Sequence, residues 1–333
     1  MADRDAIIRA FLDRAGWSGA ARRPLAGDAS FRRYDRVTDQ AGTRRAVLMD
    51  APPGKEDVRP FLAIDAHLRA RGLAAPEVLA ADADAGLVLL EDLGDALYTR
   101  VLDAGAGDEA TLYAAAVDVL AALHARPPEG LDPPPYDDAL LMAEAALFID
   151  WFLPAATGRA VTGAARDAFH AAWRAVLPLA RTAPPRLTLR DYHADNLIWL
   201  PEREGPRRVG LLDFQDAVLG APAYDLVSLL EDARRDVAPE TVAAMRARYL
   251  AARPETDAGA FDAAYAVLGA QRNCKIVGIF TRLWRRDGKP AYLDYLPRVW
   301  AHLARDLAHP ALAPVRAWFD AAVPPRLRAR PDR

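Results

Sequence analysis

Cysteine is almost missing from this chain of 333 residues. Cys274 stands alone, which excludes an internal disulfide framework and any metal site built from several thiolates, and fits a reducing compartment. An excess of one charge is missing as well. The 43 basic and 46 acidic residues are interspersed and leave a net charge of −3, so no global field argues for nucleic acid or a membrane surface as partner. No run approaches the roughly 18 apolar residues of a membrane span. The first residues, MADRDAIIRAFLDRAG, carry charges throughout, unlike the apolar core of a signal peptide. These absences lead to the expectation of a cytoplasmic globular protein; a monomer is expected as well. Several catalytic signatures are absent too: there is no G-x-x-x-x-G-K-[ST] phosphate loop and no H-E-x-x-H zinc helix, and GWSGA near the start lacks the spacing of a nucleophile elbow.

What is present is apolar material, 52% of the residues, enough for one large or two medium domains. The first stretch has Ile7, Ile8, Phe11 and Leu12 at helical spacing, with Gly16 as its stop. SFRRYDRV (30–37) and RRAVLMD (44–50) read as a hairpin, and RPFLAIDAHLRARG (59–72) as a helix ending at Gly72. APEVLAADADAGLVLLEDLGD (75–95) adds two strands around an ADAG turn, completing a small sheet with one helix. Beyond Asp95 the text is helical, at 110–128, 137–156 and 261–288, with a Pro-rich loop predicted at 126–138.

Two strand-like runs interrupt this helical part, and both stop at an aspartate: LTLRDYHADNLIWL (187–200) and VGLLDFQDAV (209–218). Isolated carboxylates are costly at the ends of buried strands. A hairpin centred in WLPEREGPRRVG would bring Asp191, Asn196 and Asp213 to one end of the pair. One carboxylate can accept a hydroxyl proton, while an amide oxygen and a second carboxylate can hold a divalent cation. That combination suits phosphoryl transfer; the bland alternative is that each Asp only caps a turn.

The R-D-x-x-x-x-N and D-F pair resembles the catalytic and metal-binding loops of protein kinases, and more closely those of the aminoglycoside phosphotransferase and choline kinase family. The segments LAALHARP and GAPAYDLVSLL are similar to that family as well. The resemblance implies an α+β, protein-kinase-like bilobal fold. A small sheet-containing lobe over 1–93 would bind nucleotide, with a hinge at 89–95. A larger, mostly helical lobe over 96–325 would carry the catalytic loops and acceptor site, and 326–333 would be a frayed tail. It implies ATP and Mg2+ as cofactors, Asp191 as catalytic base, Asn196 and Asp213 as magnesium ligands, and Asp225 as support of the catalytic loop. The hinge LLEDLGD would offer backbone groups of Glu91 and Leu93 to adenine.

Two departures stand out. Leu189 replaces the usual histidine two positions before the catalytic Asp, a change of scaffold. Met49 stands where kinase-like folds carry the lysine for the α- and β-phosphates, and no G-x-G-x-x-G precedes it. AGDASFRRYDR offers instead small residues, Ser30 among them, whose amides can approach phosphate, and Arg32 or Arg33 to supply the charge. Asp65 or its neighbours would lie near the helix position that in kinase-like folds pairs with the lysine, and no residue is assigned that role.

For the acceptor, Arg272, Lys275 and Arg282 recur with Ile279 as one stripe of an otherwise apolar helix. The stripe favours an anionic substrate, unless its cations only pair with nearby carboxylates. GDASFRRYDR, LMDAPPGKEDVRPF, QRNCKIVGIFTRLWRRDGKPAYL and LPRVW together resemble the bacterial anomeric sugar kinases of cell-wall recycling, whose lysine-less strand is shared. That implies a small-molecule sugar substrate, N-acetylmuramate or N-acetylglucosamine, phosphorylated at the C1 hydroxyl. The alternatives are a kinase of another small hydroxyl compound (aminoglycoside, choline or homoserine) and a nucleotide-binding module without catalysis.

Overall fold

The computed structural model describes residues 3–25, 31–181 and 183–331. In chain order the helices are α1 (Arg4–Arg14), α2 (Arg59–Ala70), α3 (Tyr98–Asp103), α4 (Glu109–His124), α5 (Asp138–Leu147), α6 (Leu153–Thr157), α7 (Gly163–Val176), α8 (Ala223–Leu230), α9 (Pro239–Ala252), α10 (Ala258–Asp287), α11 (Leu296–Leu307) and α12 (Ala313–Ala322). The strands are β1 (Ala21–Pro24), β2 (Arg33–Thr38), β3 (Arg45–Asp50), β4 (Val78–Asp82), β5 (Leu87–Glu91), β6 (Arg186–Thr188), β7 (Leu197–Trp199), β8 (Val209–Leu211) and β9 (Val218–Gly220). The chain divides into two compact units, Met1–Val101 with Asn196–Asp216, and Leu102–Asp195 with Ala217–Arg333.

The first unit is built on an antiparallel sheet in the order β1-β2-β3-β5-β4. Alternation along the strands gives it two faces. One face carries Val37, Ala46, Leu48, Leu87 and Leu89, which bury Ile8, Phe11 and Leu12 of α1. Register puts Tyr34, Met49 and Val88 side by side on the other. Asp3 caps α1 by accepting from the Asp5 amide. The edge strand β1, ARRP, went unread in the sequence because it has neither apolar alternation nor a hairpin signal, and its proline suits an edge.

The hairpin β7–β8 belongs to this unit rather than to the helical part of the chain, where the expected boundary at 93–96 would put it. Leu211 donates to the Ala74 carbonyl at 2.9 Å, Trp199 to that of Ala96 at 2.8 Å, and Leu93, Ile198 and Leu200 pack with Ala74. Packing is close at Gly210, where a Cβ would lie 3.0 Å from a Leu93 methyl and 3.2 Å from Ile198.

The second unit is helical around α10, whose 30 residues are capped by Asp257, accepting from the Ala260 amide, and ended by Gly288 in the left-handed region at φ +65°. α5 and α6 are joined through a turn of π-helix, Phe148–Phe152. Gly278 lies against this join, where a Cβ would overlap the backbone of Leu147 and Phe148. Taken together, Asp138–Thr157 is long and apolar enough to cross a membrane by length and composition, contrary to the sequence expectation that no run comes close. It packs as a core helix along α10.

β6 pairs with β9, not with the hairpin, and the Pro-rich stretch runs alongside: Leu219 donates to the Pro134 carbonyl and Tyr136 to that of Leu219, both at 2.8 Å. Of the C-terminal residues expected to fray, Arg328 donates to the Val323 carbonyl at 2.8 Å and to Asp320 at 2.6 Å, and Arg330 pairs with Asp294.

Candidate active site

In the second unit the chain leaves β6 through a tight turn. Asp191 donates its amide to the Leu189 carbonyl at 2.9 Å, a three-residue turn with Arg190 at its centre and φ of +69°. This positive-φ γ-turn is a strained conformation for a residue with a side chain. Asp225, on the first turn of α8 and fully buried, holds it: Oδ2 accepts from the Leu189 amide at 2.7 Å and Oδ1 from the Arg190 amide at 2.8 Å. Ser228 donates to the Arg190 carbonyl at 2.9 Å, and the Tyr192 hydroxyl to that of Ala116 at 2.8 Å. The turn presents Asp191 to solvent.

Around Asp191 the protein is dense enough for desolvation to push its carboxyl up. The charges of Lys275, His193, Arg272 and Arg190 outweigh this and hold it below the ordinary value of 3.8. Two members of the predicted stripe, Arg272 and Lys275, therefore act on Asp191 directly. They are not equivalent. Lys275 donates to Glu144 at 2.8 Å, and so does Arg190 at 2.5 Å, while the Tyr136 hydroxyl bonds the other oxygen. Burial pushes Glu144 up, but Lys275 and Arg190 hold it down. Arg272 is buried, and its recorded polar contact is a long 3.5 Å approach to the Glu231 carbonyl; among the described residues no carboxylate pairs with it. Arg282 lies two turns beyond Lys275, about 10 Å along the helix, with a buried Nε that has no partner; burial lowers its pKa.

Glu144 is the residue that sequence reasoning missed. Its one signal is an acidic residue at helical spacing from Leu141 and Phe148 in an otherwise apolar segment.

In the first unit, Asn196 and Asp213 flank the hairpin at the same end. Leu212 donates to the Asn196 carbonyl at 3.0 Å, and the Asn196 amide lies 3.4 Å from Asp213 Oδ2. Asp213 adopts φ +56°, a second left-handed residue that is not glycine, and Gln215 donates to its Oδ1 at 2.9 Å. Phe214 stacks on Phe61 of α2, centroids 4.9 Å apart. That contact runs from the amide nitrogen; the Asn196 amide oxygen and the Asp213 carboxylate are hard-oxygen donors of the kind Mg2+ takes together with phosphate oxygens. Among the described residues no group of three His, Cys, Asp or Glu could hold a metal by itself.

For the nucleotide, Ser30 lies outside the described residues. Arg32 is largely buried, 4.0 Å from Glu56 and 3.9 Å from Asp216, whereas Arg33 is exposed at the start of β2. Met49 is fully buried. Asp65 is buried on α2 with an unpartnered Oδ1, and burial, with Arg69 lowering and Glu91 raising, pushes its carboxyl up to about 7. The Glu91 amide already donates to the Glu77 carbonyl at 2.8 Å and its carboxylate accepts from Arg203 at 2.5 Å, so of its backbone groups the carbonyl is the one to consider for adenine. The Leu93 side chain packs beneath the hinge with Ala74 and Ile198. Arg36, unnoticed in the sequence, braces this hinge through Asp92 at 2.7 Å and Asp95 at 2.9 Å.

A small antiparallel sheet with helices α1 and α2, a helical second part, and an Asp-x-x-x-x-Asn loop followed by Asp-Phe define a protein-kinase-like phosphotransferase. The chain belongs to the phosphotransferase enzyme family, whose profile matches residues 21–261. It is 45% identical to an N-acetylmuramate/N-acetylglucosamine kinase of Caulobacter vibrioides, over 98% of each chain. It is 38% identical to the protein of the same name from Pseudomonas aeruginosa, over 87% of this chain and 85% of that one. Among solved structures it is similar in fold to a choline/ethanolamine kinase family protein from Mesorhizobium loti, with a TM-score of 0.61, 16% identity, and 95% and 100% of the two chains covered.

Proposed function

We propose that this enzyme transfers the γ-phosphoryl group of ATP, with Mg2+, to the anomeric hydroxyl of N-acetylmuramate and also of N-acetylglucosamine. Asp191 takes the proton of the C1 hydroxyl as its oxygen bonds to the γ-phosphorus and the bond to ADP breaks. An anomeric hydroxyl is more acidic than an ordinary alcohol, so a carboxylate of low basicity suffices. Asn196 and Asp213 are the residues that would hold Mg2+, which neutralises charge on the phosphates when bound. Backbone at Glu91 and Leu93, amides near Ser30, and Arg32 or Arg33 serve the nucleotide, and Asp225 steadies the loop that carries Asp191.

The observation that carries the acceptor reading is Arg272: a buried guanidinium whose charge reaches Asp191 and which lacks a carboxylate partner among the described residues. Among the described residues no carboxylate lies at ion-pair distance from it, Asp191 and Glu231 acting on it only from further away, and the lactyl carboxylate of N-acetylmuramate is an anion on the substrate itself, able to pair with it directly. The names of the relatives supply the sugar. A cationic aminoglycoside or choline would meet Arg272, Arg190 and Lys275 beside the base and be disfavoured.

Arg272→Met tests this. A charge-assisted bond contributes about 1.5–3 kcal/mol, so kcat/KM for N-acetylmuramate should fall roughly 10- to 150-fold. N-acetylglucosamine, which has no carboxylate, should lose far less. Equal losses on both sugars would refute the role of Arg272. Phosphorus NMR should find an acid-labile anomeric phosphate, and a phosphate on O6 would overturn the site of transfer.

A further inference from the structure

In the first unit, Arg36 of β2 lies beside Val47 of β3, which in turn neighbours Leu90 of β5. This row is two residues along from Tyr34, Met49 and Val88 and shares their face of the sheet. It is the row next to the hinge. Arg36 is 8% exposed. Its Nη1 and Nη2 donate to the two oxygens of Asp95 at 2.9 and 3.0 Å, a fork on one carboxylate, while Nη2 reaches Asp92 Oδ1 at 3.1 Å and Nε lies 2.7 Å from Asp92 Oδ2. Asp95 is mostly exposed, but the Asp92 side chain is buried. An exposed ion pair contributes little. A buried guanidinium that serves two carboxylates of one short segment fixes the geometry of that segment.

What it fixes is the course of the backbone around Leu93. Asp92 Oδ1 also accepts from the Gly94 amide at 3.0 Å, closing a side-chain-to-backbone turn with Leu93 at its centre, and Gly94 continues at φ +88°. The Leu93 side chain is anchored against Ala74, Ile198 and Leu200. With the turn closed and the side chain anchored, the direction of the Leu93 amide is set. That amide donates to no group among the described residues, whereas the Glu91 amide is engaged by the Glu77 carbonyl.

We propose that Arg36 is a positioning residue for the nucleotide: by holding Asp92 and Asp95 it presents the Leu93 amide to adenine in advance, so that binding has little of the hinge left to order. This rests on the reading that the hinge takes adenine, and it adds a residue that acts through the hinge backbone. Without Arg36 the buried Asp92 carboxylate loses its counter-charge, and the turn opens toward water.

The full chain with Mg2+ is titrated calorimetrically with ATP and with tripolyphosphate, which lacks adenine. The parent should bind ATP at least about 10-fold more tightly. Arg36→Met should lose about 2- to 12-fold for ATP, one neutral hydrogen bond's worth, and keep its affinity for tripolyphosphate. Arg36→Lys retains the charge but not the fork; it should lose ATP affinity in the same sense, and it carries the test if Arg36→Met does not fold. Hydrogen exchange at the Gly94 amide, which reports the Asp92 turn directly, should quicken several-fold in either variant. Parental ATP affinity, an equal loss on both ligands, or unchanged Gly94 exchange would overturn the role of Arg36. A parent that binds tripolyphosphate as tightly as ATP would overturn the placement of adenine at the hinge, and the role of Arg36 with it.

Discussion

Asp225→Asn isolates what holds the catalytic turn. The carboxylate accepts two amides, at 2.7 and 2.8 Å, in a fully buried position. Asparagine keeps the shape but offers one acceptor oxygen; its NH2 then faces an amide N–H, donor against donor. One charge-assisted bond, about 1.5–3 kcal/mol, is lost and the other is weakened to a neutral one. The γ-turn at Arg190 stores about 1–3 kcal/mol of strain, which these bonds and Ser228 oppose. The expected cost is about 2–4 kcal/mol of global stability. Alternatively the turn relaxes, and the loss then falls mostly on kcat, ten-fold or more, with nucleotide KM unchanged. Urea unfolding followed by fluorescence of the seven tryptophans, beside steady-state kinetics, reads both. A variant within about 0.5 kcal/mol of the parent and with parental kcat would show that the two bonds do not hold the turn.

Asp191→Asn should abolish transfer while nucleotide affinity, read by titration, stays within a few-fold; near-normal turnover would remove Asp191 as base. Lys275 is the largest of the charges that lower Asp191, so Lys275→Met should move the acid limb of the kcat profile to higher pH, and an unmoved limb would contradict the electrostatic reading. Asp65 titrates in the opposite sense. Its carboxyl is raised to about 7 in the fold against about 3.9 unfolded, so the folded state binds the extra proton and loses stability as pH rises from about 4 to 7, at up to about 1.4 kcal/mol per unit. Asp65→Asn should therefore stabilise more at pH 8 than at pH 5 in paired urea titrations; a gain independent of pH would refute this. Gly278→Ala should destabilise by at least the ~1–3 kcal/mol of ordinary overpacking, because its Cβ meets backbone at the π-turn rather than a side chain that can rotate; a soluble variant of parental melting temperature would contradict it.

Local periodicity was enough to read the elements whose burial follows from their own pattern. The helix expected at 59–72 is α2, that at 261–288 is α10, and the hairpin 30–37/44–50 is β2–β3, each within a few residues. Turn chemistry marked Gly16 and Gly72, both at positive φ. The spacing of Asp191, Asn196 and Asp213 suited phosphoryl transfer, the chemistry of the family to which the chain belongs, with turn-capping as the alternative for each Asp. Kinase-like family membership was likewise legible in those loops.

Pairing between distant segments was not legible, since nothing local says that β6 should choose β9, or that β8 should hydrogen-bond to Ala74 and draw Asn196–Asp216 into the first unit. Nor could the chain by itself distinguish Arg272 from Lys275. Both lie on one stripe of one helix, but Glu144, 131 positions before Lys275 in sequence, neutralises the lysine, while the buried arginine meets no carboxylate among the described residues. A side chain's identity is written in the sequence. Whether its charge is already matched depends on which other segment the fold brings within about 4 Å, and that is decided only in three dimensions.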